Sequence, residues 1–437
     1  MLVSAGKITM SKIVPYCPSN IIRYIIILRH FILFILPLIL FISNCAQQRQ
    51  IRRPGVQEIQ IPFIRVALDD NMKKGTLTFI NEYRLQSEEA TYILDSTLGE
   101  FQVSFSDNIL LLKSSDRRFK FENFNKIDFN PVANSKFRWN GISYMGQISM
   151  VKSQDQLIII NSLSMTEYLK GVVPHEIPSH SEEYYPAIVS QAITARSYAY
   201  YHLNYPSSLH FDVYSDTRDQ IYLGLKQNAP LANKAIEESK GMVLQNEKGE
   251  PVETQYHSTC GGTVDLKYKI EGITSEGYFK DIYNDEFNCL TSPMYRWVEK
   301  YSSRDILTNL VNTGKLTEEK AKNMRENGFT MEIEITSRSN SGRIEKMIIS
   351  LNNINITLQS YEIRRVFRPS GGSTLPSTLF FIKKSGKHPD IFYLIGAGFG
   401  HGKGMCQWGA IGLALKEKSA KEILGFYYPG HILKKIY

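Results

Sequence analysis

A chain of 437 residues, 43% hydrophobic and 22% charged, builds an ordinary core and has room for one large domain or two to three smaller ones. Its formal net charge is +8, but Lys7, Lys12, Arg23 and Arg29 supply half of that within the first 45 residues, where no acidic residue occurs. The +4 left to the remainder gives no sequence-level case for a nucleic-acid partner.

Taken in chain order, Arg23, Arg29 and His30 precede an apolar run from Phe31 to Ile42, too short for a membrane span. The run stops at Ser43-Asn44-Cys45, before the polar stretch Ala46 to Gln50. Residues 1–45 thus resemble a bacterial lipoprotein signal, with Cys45 as the lipidated residue; an uncleaved N-terminal anchor is the alternative. Either reading expects an exported body, periplasmic or at the cell surface and held to a membrane. Residues 46–60 read as a tether.

A β-rich portion is expected over 61–155. Ile64–Leu68, Thr76–Ile80 and Gln102–Phe105 alternate apolar and polar residues, or nearly so, and Leu157–Ile160 reads as a buried strand. Helical signals begin at the capping box Ser164-Met165-Thr166-Glu167, opening a short helix over Met165–Val173 that runs into Pro174. A longer helix is predicted from Pro186 to about His202, and another within 231–245 that ends at Gly241 and gives way to a strand. Residues 303–325 look helical, and 330–350 look like a hairpin around Ser339–Gly342. The C-terminal part holds a glycine-rich loop, a helix over Met405–Lys416, and a last helix opened by the capping box Ser419–Glu422 and closed before Pro429-Gly430. The fold class expected is α+β, a mixed α/β body with 156–437 as the catalytic part and 298–376 as an elaboration beside it.

Glu176 lies between Pro174 and Pro178, which stiffen the backbone that aims it. Val172, Val173 and Ile177 are positioned to desolvate its carboxyl group, which favours the protonated acid. Local sequence alone leaves an exposed loop carboxylate as the simpler reading. Arg196 shares a helix face with Ala192 and Ala199, and reads either as a cleft residue or as a buried structural arginine. His401 stands among alternating glycines from Gly396 to Gly404, and is expected to reach into a cleft. Tyr256-His257-Ser258-Thr259-Cys260-Gly261-Gly262 reads as a substrate-facing turn. Cys17 and Cys45 belong to the signal, so three cysteines remain in the exported body. Cys260 and Cys289 can pair as a disulfide, which the compartment permits, join His257 and a fourth group around a structural zinc, or stay free thiols.

These segments together resemble the SpoIID family, which includes stage II sporulation protein D and the amidase enhancer LytB. The resemblance runs in family order through Asn161-Ser162-Leu163, Glu167 to Pro178, Gln191 to Ala199, Gln220 to Gly224, His257 to Gly262, Ser377 to Phe380 and Gly398 to Ala410. It covers roughly residues 60–437. Cys406 departs from the pattern, standing where family members commonly have Ser. The resemblance implies a lytic transglycosylase that cleaves between N-acetylmuramic acid and N-acetylglucosamine in glycan strands stripped of stem peptides, in cell-wall remodelling. It implies that Glu176 is the catalytic acid/base and that Arg196, His257, Ser258, Gly261, Gly262, His401 and Gln407 bind substrate. No cofactor is required for such chemistry. The second function implied is a non-catalytic, glycan-binding enhancer of a cell-wall amidase.

Overall fold

In a computed structural model of the chain, the described residues are 60–86, 90–265, 278–369, 372 and 374–437. The export signal, Cys45 and the tether up to residue 59 lie outside them. Among the described residues, no helix is long and apolar enough to cross a membrane.

Period-two alternation builds the first layers. In the strand Glu100–Ser106, Phe101, Val103 and Phe105 are buried while Glu100, Gln102 and Ser106 face solvent. Two sheets result. The first has seven strands in the order Val213–Tyr214, Phe63–Met72, Gln156–Ser164, Gln147–Ser153, Lys126–Pro131, Tyr83–Gln86 and Thr91–Leu94. Six strands make the second: Ile142–Met145, Lys136–Trp139, Lys74–Phe79, Glu100–Ser106, Ile109–Lys113 and Arg118–Phe121. Phe79 of the second sheet packs on Tyr83 and Phe129 of the first, with ring centroids 5.1 and 5.4 Å apart. Offset aromatic contacts of this kind add stability beyond the apolar area they bury.

The expected boundary between 155 and 156 is not a break in the fold. It falls in the turn of a hairpin in which Ser153 pairs with Gln156. A single core continues from Ile64 in the first strand to Tyr437 at the C-terminus, and Gln60–Tyr437 form one compact unit.

The helical part follows directly from the strand Gln156–Ser164. Ser164 caps helix α1 (Met165–Lys170) by accepting the Glu167 N–H at 3.3 Å. The reciprocal half of the expected capping box is not made, because Glu167 pairs with Lys170 at 2.9 Å instead. The predicted single helix to Val173 is broken at Gly171, where the Tyr222 ring covers the backbone. A Cβ at Gly171 would sit 2.4 Å from that ring. A separate turn, α2 (Val173–Glu176), follows and ends on Glu176. Helix α3 (Tyr185–Asn204) has Pro in its first turn, as predicted, and is buried along most of its length. Its small residues Ala187, Ala192, Ala195 and Ala199 let neighbours approach closely. Those neighbours are α4 (Pro230–Glu238), the strand Met242–Gln245 and the two C-terminal helices.

The elaboration has its own core, formed by Trp297, Leu310, Met347, Leu358, Phe367 and Leu394 among others. It therefore extends past residue 376, to the strand Ile391–Ala397 that pairs with Arg296–Ser302. The helical stretch at 303–325 is two helices, α5 (Ser303–Asn312) and α6 (Glu318–Asn327), parted at Gly314 with φ +70°. The hairpin forms as predicted from Met331–Arg338 and Ile344–Leu351, and Ile354–Gln359 adds a third strand before α7 (Tyr361–Val366).

The chain then returns to the main body. Helix α8 (Gln407–Leu415) begins two residues later than expected, because Met405 and Cys406 form a short strand parallel to Tyr256–His257. Cys406 caps it, its sulfur accepting the Gly409 N–H. Helix α9 (Ala420–Tyr427) is opened by the predicted capping box, formed in both directions. The strand Ile432–Lys435 closes the chain against Met242–Gln245. The molecule is of the expected α+β class.

Candidate active site

The turn α2 is clamped from one side by residues 220–226. The Leu223 N–H donates to the Gly171 carbonyl at 3.2 Å, His175 Nε2 meets the Gly224 carbonyl at 3.3 Å, and Lys226 Nζ donates to the Pro174 carbonyl at 2.6 Å. The same segment reaches the carboxylate itself, since the Ile221 N–H donates to Glu176 Oε1 at 2.8 Å. From the other side Gln407, the first residue of α8, donates its amide to Glu176 Oε2 at 3.3 Å and to Gln191 Oε1 at 3.4 Å. Residues more than two hundred positions apart thus converge on one half-buried carboxyl group.

Tyr256 stands beside the same carboxyl group. Its hydroxyl accepts from Gln220 Nε2 at 2.9 Å, and Gln220 Oε1 accepts from the Tyr168 hydroxyl at 3.0 Å. The Tyr256 hydroxyl also acts on the Glu176 carboxyl group, favouring its charged form. Burial raises the pKa of Glu176 above the ordinary carboxylate range, against the downward pull of Ile221 N–H, the Gln407 amide and the Tyr256 hydroxyl. Among the described residues, no second carboxylate acts on it. The arrangement is a carboxyl group desolvated by its surroundings and held by donors.

This balance has a measurable consequence. Tyr256→Phe and Gln407→Leu each remove a donor that favours the carboxylate, so each is expected to move the Glu176 pKa further up. Titration of the side-chain carboxyl by ¹³C NMR reads this directly. An unmoved pKa in both variants would mean that neither group bonds to the carboxylate.

The glycine loop lies beside this carboxyl group. Gly398, Gly400, Gly402 and Gly404 all have positive φ, at 77°, 109°, 79° and 68°. Gly404 and Gly402 also sit where a Cβ would come within 1.8 Å of the Gln255 carbonyl and 2.0 Å of the Arg343 guanidinium. Alternation of glycine is therefore what lets the loop lie along the 255–265 segment. His401 is exposed at the edge of this loop. Its Nδ1 accepts the Lys403 N–H at 3.0 Å, so it is neutral and its Nε2–H donates to the Tyr256 carbonyl at 2.9 Å. His257 lies 5.5 Å away between ring centroids, buried, with Nδ1 on the Lys403 carbonyl at 3.0 Å. Its other nitrogen, Nε2, is buried and has no partner among the described residues. Ser258 is half-buried, with its hydroxyl 3.4 Å from that of Thr259.

The structure thus brings Glu176, Gln407, His257 and His401 around Tyr256, with Ser258 next in the chain. Three expectations are corrected. Arg196 is not a cleft residue. It is fully buried and its guanidinium caps the C-terminus of α4, donating to the carbonyls of Ser239 at 2.7 Å, Ile236 at 3.0 Å and Met242 at 3.4 Å. Gly261 and Gly262 do not face a substrate. Both are buried, and the Gly262 N–H is directed at the Cys260 sulfur at 3.2 Å. Cys260 and Cys289 are free thiols with sulfurs 3.5 Å apart, not a disulfide. Nor is His257 grouped with them; the companions of these two sulfurs are Cys406 and Asp281.

Tyr256, Gln220 and the Ile221 N–H were not singled out as site groups from sequence. Gln220 carried a weak signal, being a polar residue at the head of the apolar run Ile221–Leu223, and Tyr256 carried one as the first residue of the turn that leads to Gly261-Gly262. The Ile221 contact carried none, because a backbone donor is independent of residue type.

Comparison with known proteins bears on this constellation. A family model described as Stage II sporulation protein (SpoIID) matches residues 153–245, which contain Glu176, Gln191 and Gln220. A model described as a domain of unknown function (DUF8618) matches residues 246–404. An uncharacterized protein of Brachyspira hyodysenteriae is 30% identical over 369 residues, covering 84% of this chain and 91% of the relative. A protein of Bacillus subtilis named amidase enhancer is 27% identical over 303 residues, covering 61% of this chain and 40% of that protein. The chain belongs to the SpoIID family. As a SpoIID protein it carries, past residue 245, the second matched region, which supplies Tyr256, His257 and His401 to the site.

Proposed function

We propose that this protein is an exported peptidoglycan lytic transglycosylase, with Glu176 as its acid/base. A cell-wall role is supported by membership of the SpoIID family and by the likeness to a protein named amidase enhancer. The observation that carries the finer reading is the state of Glu176: a carboxyl group raised in pKa by burial and held by the Ile221 N–H and the Gln407 amide, with no second carboxylate among the described residues acting on it. Ordinary glycosidases need two carboxyl groups to protonate the leaving oxygen and to supply a nucleophile or activate water. One group suffices where the substrate supplies its own nucleophile. Glu176 protonates the glycosidic oxygen between muramic acid and glucosamine, then as carboxylate takes the proton of the muramic acid 6-hydroxyl. That oxygen closes on C1 to give a 1,6-anhydro end, and no water is consumed. Leu223, exposed and two residues from the Ile221 N–H that binds Glu176, offers an apolar face for a sugar ring.

A second reading has its own support, since one relative is named an amidase enhancer. In it the same groove binds glycan without cutting and increases the activity of a partner amidase. Incubation with glycan strands stripped of stem peptides separates the two. Transglycosylase action yields shortened strands without any amidase present. An enhancer leaves the strands at full length and sediments with them.

A further inference from the structure

Next to the Glu176 site, where Cys406 precedes Gln407 and Cys260 follows His257, three thiols and a carboxylate converge in the core. Cys260 follows the Tyr256–His257 strand, Asp281 and Cys289 lie in the next described segment, and Cys406 is the N-cap of α8. All four are buried, at or near zero exposure. One ligand atom from each lies within 4.8 Å of all the others. The Cys260 sulfur is 3.5 Å from that of Cys289 and 3.1 Å from Asp281 Oδ2. Zinc–sulfur bonds of about 2.3 Å in a tetrahedron set sulfurs about 3.8 Å apart, so the cluster is close to the size of a four-coordinate zinc site.

The surroundings are organised as a metal site requires. Asp281 Oδ1 accepts from Asn288 Nδ2 at 2.8 Å and from the Tyr427 hydroxyl at 2.9 Å, which orients Oδ2 toward the sulfurs. Backbone N–H groups of Gly262, Cys260 and Gly409 are each 3.2 Å from a sulfur of Cys260 or Cys406. Close packing holds the walls: a Cβ at Gly409 would meet Asp281 Oδ2 at 2.4 Å, and one at Gly412 the Asn288 carbonyl at 1.8 Å. The buried Arg343 donates to the Cys260 carbonyl at 2.8 Å. Three thiolates, a carboxylate and a divalent ion sum to a double negative charge, which this guanidinium partly offsets. Four acidic donors buried together without a cation would instead be costly.

We propose that Cys260, Asp281, Cys289 and Cys406 bind one structural zinc ion. Thiolate ligands select zinc over calcium or magnesium, and four protein ligands leave no open position for chemistry. The ion ties the 256–262 turn and the 281–289 segment to the start of α8. It thereby fixes Gln407, the residue after Cys406, against Glu176. This inference stands whether the groove cuts glycan or only binds it.

The test uses the full chain purified without chelators. Elemental analysis is expected to find about one zinc per chain. Cys260, Cys289 and Cys406 should resist alkylation until a chelator and denaturant are added, and replacement by cobalt should give thiolate-to-metal charge-transfer bands. Cys406→Ser keeps an N-cap, since Ser is a preferred capping residue, and removes one thiolate. Its zinc content after dialysis is expected to fall below about a tenth of the wild-type value, with the far-UV spectrum unchanged. Any of three results overturns the proposal: a metal-free chain with a Cys260–Cys289 disulfide, a metal-free chain with three reactive thiols, or full zinc retention by a folded Cys406→Ser variant.

Discussion

Replacing Glu176 by glutamine is expected to reduce release of glycan fragments with 1,6-anhydro ends by about 10²–10⁴-fold, the usual contribution of a positioned proton donor. The fold should survive, and its stability gives an independent check. The folded-state pKa of Glu176 is raised above the ordinary 4.5 by burial. A group raised in this way stabilises the fold fully below its unfolded pKa and loses that contribution as pH rises through its folded value. Above that folded value the wild type bears a penalty for an ionised, partly desolvated carboxylate. Glutamine has no charge to desolvate, so Glu176→Gln should melt at the same temperature as the wild type near pH 4 and relatively higher as pH rises. Thermal melts at several pH values read this. A variant that melts lower across the range would make Glu176 a structural residue.

Arg196→Met is expected to cost about 3 kcal/mol of stability, because hydrogen bonds to a charged donor are worth about 1.5–3 kcal/mol and buried carbonyls would be stranded. The carbonyls of Ser239 and Ile236 would lose a partner in the protein interior. Methionine keeps much of the volume, so the loss is mainly one of polar satisfaction rather than packing. Denaturant unfolding reads the change as a lower midpoint with an unaltered slope. The specific activity of the remaining folded protein should match the wild type, because Arg196 bonds to the end of α4 and not to the groove. A selective loss of glycan binding with normal stability would instead return Arg196 to the groove.

Much of this architecture was legible in the chain because it rests on local rules. Alternation marked the strands Phe63–Met72 and Glu100–Ser106, Pro186 marked the start of α3, and Ser419 with Glu422 marked α9. Misplaced boundaries have a common cause, in that a tertiary contact overrode a local preference. Gly171 ends α1 because Tyr222 lies across it, and Met405 leaves the helix to pair with Tyr256. Glu176 was legible through its proline brackets and the order of motifs around it. Its partner Gln407 was implied only by resemblance to the SpoIID family, because 231 positions separate the two. Arg196 misled for a physical reason. A small-residue helix face accepts either a substrate or the end of another helix, and its spacing is the same in both cases. The sulfur cluster was half visible, as Cys260 and Cys289; only folding shows that Cys406 and Asp281 complete it and that His257 does not.

The central claim is that Glu176 alone carries acid and base roles in breaking the glycan strand. Mass spectrometry of glycan strands stripped of stem peptides, digested by the wild type and by Glu176→Gln, tests it most directly. Strands ending in 1,6-anhydro-muramic acid from the wild type, with none above background from the variant, are the predicted result. Reducing muramic acid ends, anhydro ends released equally by both proteins, or strands left at full length by the wild type would contradict it.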